Sequence, residues 1–342
     1  MSTPAKVPRA VRFALVQFNP LPPDHAPDAP HQNLIRAHEF VRKAAEKGAN
    51  VVVFPEYFIS GIVSDEKHWG LAQREHDPSH VQSQEETTSW LQSFCKLAVK
   101  HDIDIVAGTI VEKAAKQVDG KDVLSNVAHY ITRKGEVVGR YKKANLWWPE
   151  KDYLTRGDEG HQVFDTEWGK TGLLVCKHLQ GLSKIFQSLT TSHVLKTGWD
   201  AAWPEAFRSL ILQKCEIVII PTFWTSADGD EIGLAHNPQC EELYLDNLIV
   251  TRAFENEVSV ATSAFCDRGK LRADFYNTFR CVVFVNAGGS SKDGFIGRSG
   301  VTLPFLGKVG GTKSNEEEML IVDVDLNILD VCLLIGARAS YP

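Results

Sequence analysis

The sequence predicts an α/β protein, and two patterns of apolar residues support this prediction. An alternating run at 11–18 is followed by a helical pattern at 31–47 and by an apolar run at 49–54. A strand, a helix and a strand in that order indicate a parallel pair joined by a right-handed crossover. The apolar runs at 170–175 and 216–221 do not alternate, which is typical of strands buried on both faces. We therefore expect parallel sheet covered by helices.

Other elements follow from the same rules. Leu91, Phe94 and Ala98 recur at helical spacing within 87–100. Two alternating runs, at 125–132 and 136–141, flank Lys134-Gly135 and predict an antiparallel hairpin. The glycine-rich stretch at 307–311 lacks the spacing of a phosphate-binding loop, so we interpret it as turns. The remaining predicted elements are a helix at 241–255 and strands at 103–110, 258–262, 279–286 and 320–324.

Length and charge limit the class of protein. The 342 residues carry a net charge of −6 without a basic block, which argues against a nucleic acid or an anionic membrane as a partner. The first ten residues lack the apolar core of a signal peptide, and no run reaches the roughly 18 apolar residues of a membrane helix. No linker or change in composition divides the chain. We expect a single-domain cytoplasmic protein that does not enter a membrane.

The seven cysteines and twelve histidines show no metal-ligand spacing. The sequence contains neither a Cys-x-x-Cys pair nor a His-Glu-x-x-His motif. An odd, scattered set of cysteines in a chain that can bury a full core indicates reduced thiols rather than disulfides. We expect no metal and no other cofactor, and we interpret most of the cysteines as packing residues.

Two residues with reactive side chains directly follow buried strands. Glu56 comes just after the apolar run at 49–54, and Cys176 ends the run at 170–175. In open α/β sheets this end of the strands carries the chemistry. Any strand end can carry a charge, however, and on composition alone both Lys143 and Glu150 would be interpreted as solvated surface. Position alone therefore leaves the roles of these four residues open.

Taken together, the segments resemble the nitrilase superfamily of carbon-nitrogen hydrolases. The resemblance rests on Phe54-Pro55-Glu56, on the lysine segment at 140–146, on Cys176 and on Arg252-Ala253-Phe254-Glu255-Asn256. It implies a four-layer α-β-β-α sandwich, with two sheets face to face and helices outside. It covers about residues 11–325 as one hydrolase domain, which leaves 326–342 as a C-terminal tail.

The resemblance also implies roles for individual residues. Glu56 matches the general base, Lys143 the lysine that stabilises the oxyanion, and Cys176 the nucleophile. Glu150, seven residues after Lys143, matches a second glutamate that many members place near the lysine and cysteine. Asn145 stands where the family usually has histidine, which is a departure from the family pattern beside the site.

These roles correspond to hydrolysis through a cysteine thioester. A free thiol, with a pKa of about 8.5, needs a base or a cation beside it to act as a nucleophile at neutral pH. We expect the substrate to be a small amide or an N-carbamoyl compound. Nitrile hydrolysis by the same residues stays open, as does an inactive family member that serves as a binding or assembly protein. The family also implies a homo-oligomer, commonly a dimer.

A segment of 22 residues, 177–198, separates Cys176 from the rest of its motif. Joining Cys176 to Trp199 gives Cys-Trp-Asp-Ala-Ala-Trp-Pro-Glu, which is close to the family pattern, and we interpret Asp200 as the cap of the helix that follows. Codons for Cys176-Lys177 can contain a GTAAG splice donor, and codons for Thr197-Gly198 an ACAGG acceptor. We interpret the segment as a translated intron; a genuine surface insertion is the alternative, since long loops are tolerated.

Overall fold

The computed structural model describes residues 9–75, 89–147, 149–175, 200–255 and 280–329. The described strands are β1 (Ala10–Gln17), β2 (Val51–Val53), β3 (Gln73–Arg74), β4 (Asp104–Lys113), β5 (Leu124–Ile131), β6 (Val137–Lys142), β7 (Val163–Thr166), β8 (Gly169–Leu173), β9 (Ile217–Thr222), β10 (Cys281–Asn286), β11 (Gly300–Leu303), β12 (Gly307–Gly311) and β13 (Glu318–Asp325). The described α-helices are α1 (Ala29–Glu46), α2 (Trp90–His101), α3 (Pro204–Leu212), α4 (Asp230–His236) and α5 (Cys240–Phe254).

The strands form two sheets. One has the order β13-β1-β2-β4-β5-β6, with β3 beside β4, and the other has the order β12-β11-β10-β9-β8-β7. Strands β1, β2 and β4 are parallel, as are β8, β9 and β10. The predicted parallel pair at the N-terminus and the predicted hairpin of β5 and β6 are both confirmed. Both candidate strand ends, after β2 and after β8, thus belong to parallel parts of the sheets.

Three apolar layers hold the sheets and helices together. Between the sheets, side chains such as Phe13 and Val53 from one sheet meet Ile219 and Val283 from the other. Helices α1 and α2 pack on the outer face of the first sheet, and α3 and α5 pack on the outer face of the second. Each sheet therefore buries both of its faces. The expected α-β-β-α sandwich is confirmed.

The interpretation of 307–311 as turns is wrong, because this stretch is the edge strand β12, paired with β11. Its glycines allow a close approach of neighbouring chains. A Cβ atom on Gly310 would lie 2.7 Å from a methyl group of Val322. Only Gly307 has the positive φ, +68°, that suits a turn.

Several other elements differ from the sequence-based expectation. Strands β3 and β7 were not predicted, and the expected strand at 258–262 lies outside the described residues. Leu326 and Leu329, at the start of the predicted tail, are buried between the sheets. No helix in the described part of the chain has the length and apolar character needed to cross a membrane.

Candidate active site

Glu56 lies just beyond β2, and its side chain is fully buried. Its Oε1 accepts hydrogen bonds from Asn126 Nδ2 at 2.7 Å and from Lys143 Nζ at 2.9 Å. Its Oε2 accepts a hydrogen bond from the backbone N–H of Phe223 at 3.0 Å. Phe223 follows β9 of the opposite sheet, so this one carboxylate joins the ends of strands from both sheets. Three donors hold its orientation, which suits a group that must face a substrate in one geometry.

Lys143 follows β6 and carries a fully buried ammonium group between two carboxylates. Its Nζ lies 2.9 Å from Glu56 Oε1 and 2.8 Å from Glu150 Oε2. Burial alone would lower the pKa of Lys143, but the charges of Glu150 and Glu56 outweigh burial and raise it well above its ordinary value. The ammonium therefore stays protonated across the physiological pH range.

Glu150 lies in a single 3₁₀ turn, Pro149–Asp152, and is also fully buried. It accepts hydrogen bonds from the Tyr57 hydroxyl and, at 2.7 Å, from the backbone N–H of Trp147. Tyr57 has a positive φ of 55°, which is rare for a residue with a side chain. Burial first, and then the charge of Glu150, raise the pKa of Tyr57 well above its ordinary value. Tyr57 thus remains a neutral donor to Glu150.

Cys176 lies outside the described residues, but the strand that leads to it does not. Leu174 and Val175, which precede it, are fully buried, and the N–H of Leu174 donates to Ile219 O at 3.0 Å. Because β8 runs parallel to β9, the carboxyl ends of both strands lie at the same edge of the sheet. Phe223 contacts Glu56 at that edge. Val175, the last described residue before Cys176, therefore lies at the edge of the sandwich that holds the buried carboxylates.

Asp200 is not a helix cap, and that expectation is wrong. Helix α3 begins at Pro204 with Trp203 in the cap position. The carboxylate of Asp200 is instead buried and accepts hydrogen bonds from Tyr141 Oη and Asn145 Nδ2, each at 2.7 Å. It also accepts one from the backbone N–H of Val175 at 3.1 Å. A buried carboxylate needs several donors, and this one finds them on the lysine segment and at the end of β8.

No group of three or more His, Cys, Asp or Glu side chains that could hold a metal ion occurs within the described residues. In the cluster described above, the ammonium group of Lys143 lies between the two glutamates and contacts both carboxylates. Its chemistry is that of proton transfer and charge stabilisation.

Comparison with known proteins relates the chain to the carbon-nitrogen hydrolases. The sequence pattern named "Carbon-nitrogen hydrolase" matches residues 12–180. The chain is 27% identical over 323 residues to a nitrilase of Pyrococcus abyssi (strain GE5 / Orsay), a match that covers 93% of this chain and 91% of that protein. The chain is thus similar to the carbon-nitrogen hydrolases of the nitrilase superfamily. It is also 26% identical over 208 residues to an N-carbamoylputrescine amidase of Arabidopsis thaliana, covering 58% of this chain and 56% of that protein.

A solved nitrilase-superfamily structure supports the fold. Nit3 of Saccharomyces cerevisiae, a branch 10 member, superposes with a TM-score of 0.66 at 19% identity, over 97% of this chain and 96% of that one. The family's sandwich is therefore present despite low sequence identity.

Of the four residues singled out in the sequence, the structure brings three together: Glu56, Lys143 and Glu150. The sequence analysis missed Asn126 and Tyr57, which donate to the two glutamates. Asn126 had a signal, because an amide side chain within the apolar strand β5 requires a buried partner. No sequence feature indicated that the backbone N–H of Phe223 donates to Glu56, since any residue type at this position supplies such a donor.

Glu241, near this end of the second sheet, should make the free energy of unfolding depend on pH. It accepts a hydrogen bond from Trp224 Nε1 at 2.6 Å, and Trp224 directly follows Phe223. Burial raises the pKa of Glu241 from 4.5 to about 7. A carboxylate with a raised pKa binds its proton more tightly in the folded state, so the free energy of unfolding should fall as pH rises from about 5 to 8.

The substitution Glu241→Gln keeps an acceptor for Trp224 but cannot ionise. We expect thermal melts of this variant to depend less on pH across that interval than melts of the parent protein. Glu231→Gln, at an exposed carboxylate on α4, is the matched control and should leave the pH dependence unchanged. Equal pH dependence in Glu241→Gln and the parent would contradict the assignment.

Proposed function

We propose that this protein hydrolyses the carbon-nitrogen bond of small carboxamides or N-carbamoyl compounds, with Cys176 as the nucleophile. The observation that supports this most strongly is the buried Lys143 held between Glu56 and Glu150, at the edge of the sandwich where β8 leads to Cys176. A buried ion cluster is a weak source of stability, because the cost of removing its charges from water can exceed their mutual attraction. Its presence therefore points to another purpose. Positioning of a charged donor and a base beside a nucleophile is such a purpose.

In the proposed first half-reaction, Glu56 accepts the thiol proton of Cys176 while the sulfur attacks the carbonyl carbon. The carbonyl oxygen becomes an oxyanion. An ammonium group has three N–H bonds, so Lys143 retains one for this oxyanion when each glutamate takes one. Collapse of the tetrahedral intermediate breaks the carbon-nitrogen bond, the proton on Glu56 passes to the leaving nitrogen, and a thioester remains.

Water completes the reaction in the proposed second half. Glu56 takes a proton from water, the resulting hydroxide attacks the thioester carbonyl, and Lys143 again stabilises the oxyanion. The carbon-sulfur bond then breaks and the Cys176 sulfur recovers a proton from Glu56. In this proposal Glu150 contacts neither substrate nor sulfur. It is held by Tyr57 and the backbone N–H of Trp147, and it positions Lys143 by direct contact.

The choice of amide over nitrile rests on the joined Cys-Trp-Asp and Trp-Pro-Glu pieces around Cys176, which are more like the amidase-type branches. The related proteins include both a nitrilase and an N-carbamoylputrescine amidase, so nitrile hydrolysis is the second candidate. We further propose a single hydrolase domain over 11–325, a cytoplasmic location and a homo-oligomer, without a cofactor. One monomeric species in light scattering would refute the oligomer.

Release of ammonia from a panel of amides, carbamoyl amines and nitriles tests the substrate class. We expect turnover of amides or carbamoyl amines, and loss of all turnover in Cys176→Ala. Turnover confined to nitriles would select the second candidate. The assay is best run on the chain with and without 177–198, because this segment separates Cys176 from Trp199.

The rate of thiol alkylation tests whether Cys176 is activated, whatever the substrate. Burial raises the pKa of Cys95 to about 11 and that of Cys215 to about 12. These thiols will therefore react slowly near pH 7. An activated Cys176 should react with iodoacetamide much faster than either, as read from peptide masses. An ordinary rate at Cys176, both with and without 177–198, would favour a non-catalytic family member.

A further inference from the structure

The two ends of the chain that flank 176–199 are in direct contact. The backbone N–H of Val175 donates to Asp200 Oδ2 at 3.1 Å. An aspartate side chain extends only a few ångströms, so the Cα atoms of these residues lie within the roughly 11 Å that three trans peptide steps of about 3.8 Å can span. A chain running Val175, Cys176, Trp199, Asp200 has three such steps. The gap is therefore short enough for a direct bond between Cys176 and Trp199.

From this contact we infer that residues 177–198 interrupt the active site, and that the working site forms when Cys176 is bonded directly to Trp199. The inference rests on the proposed function for its chemical meaning. In strand-to-helix nucleophile turns, the amide of the residue after the nucleophile contributes to the oxyanion hole. Twenty-two residues inserted at that position replace the amide of Trp199 with that of Lys177.

The docking of residues 200–202 does not require the segment. Asp200 accepts hydrogen bonds from Tyr141 and Asn145 on the lysine segment, each at 2.7 Å. Arg252 Nε donates to Ala201 O at 2.7 Å, and Arg252 Nη2 donates to Ala202 O at 2.5 Å. All of these partners belong to β6, to the loop after it, or to α5. A shortened chain would retain each of these contacts.

The sequence of the segment also differs from the rest of the chain. None of its 22 residues is Asp or Glu, whereas 43 of the 342 residues of the whole chain are acidic. Its three lysines, Lys177, Lys184 and Lys196, make it basic in a protein of net charge −6. The carbon-nitrogen hydrolase pattern ends at residue 180, within the segment. The family pattern thus stops three residues after the segment begins at 177.

The test compares the full chain with a variant that lacks 177–198. We expect the shortened chain to melt at the same temperature or higher, because the described contacts at both ends remain. We expect Cys176 to react with iodoacetamide at pH 7 at least about tenfold faster, since each unit by which its pKa falls raises the thiolate fraction up to tenfold. Ammonia release from an amide should appear or rise in parallel, and vanish in Cys176→Ala.

A second variant, which lacks only 177–196, is the matched control. It keeps Thr197 and Gly198 between Cys176 and Trp199, so it removes most of the segment without restoring the direct bond. We expect its Cys176 to react no faster than in the full chain. A lower melting temperature for the complete deletion, or equal alkylation rates in all three proteins, would overturn the inference. Fast alkylation without turnover would refute the proposed substrates and leave the inference standing.

Discussion

Replacing Lys143 with methionine is expected to lower the free energy of unfolding by about 3–5 kcal/mol, because breaking a buried ion pair leaves its partner charge uncompensated. Here two carboxylates, Glu56 and Glu150, would face each other without the ammonium between them. One of them must then bind a proton. Urea titration at neutral pH measures the change, and a loss of this size is a large part of the stability of a typical domain.

The stability lost in the Lys143→Met variant should depend on pH. Without Lys143 a glutamate has a raised pKa, so the folded state binds more protons than the unfolded state. The stability deficit of Lys143→Met should therefore shrink as pH falls from about 7.5 toward 5. Adding Glu150→Gln, which removes one of the two charges, should recover part of the loss at neutral pH. Lys142→Met is the control, and an equal effect at both lysines would contradict this account of Lys143.

The second large effect is expected on reactivity, from Glu56→Gln in the chain that lacks 177–198. Loss of a general base typically lowers the rate about a hundredfold to ten-thousandfold. Cys176 should also lose its activation, so the pH at which its alkylation rises should move toward that of a free thiol, about 8.5. Glu150→Gln keeps the base and should change this pH profile much less.

Stability must be measured alongside, because the amide of glutamine cannot reproduce every contact of Glu56. Its NH₂ group would face the N–H of Phe223, and such an unsatisfied donor costs about 1–3 kcal/mol. A Glu56→Gln protein that is folded, with full amide turnover and an unchanged alkylation profile, would exclude Glu56 as the base. A similar loss in both glutamate variants would contradict the division of roles in which Glu56 is the base and Glu150 positions Lys143.

Much of the fold could be predicted from the sequence because the apolar patterns are regular. The segments that form β1, α1 and β2 show clear strand and helix patterns of apolar residues, because these residues are buried in the fold. The edge strand β12 escaped prediction because its glycines hide the pattern. Gly310 packs closely against Val322 of β13, and this contact depends on how the two sheets face each other, since β12 and β13 belong to different sheets.

The candidate site could be predicted only in part. The motifs around Glu56 and Lys143 bring with them an expected role, and the structure places both side chains in one buried cluster with Glu150. Asp200 was assigned to the wrong structure because its partners, Tyr141 and Asn145, are more than fifty residues away in the chain. Local spacing suggests a helix cap for such a residue, while tertiary contacts determine its actual position.

The most direct test of the account is to trap the covalent intermediate in the chain that lacks 177–198. Rapid acid quenching during amide turnover, followed by peptide mass spectrometry, should reveal an acyl group on the peptide that contains Cys176. The adduct should be absent in Cys176→Ala, and it should form much more slowly in Glu56→Gln because thioester formation is slowed. Turnover that continues in Cys176→Ala, or an acyl group found on another residue, would contradict the account.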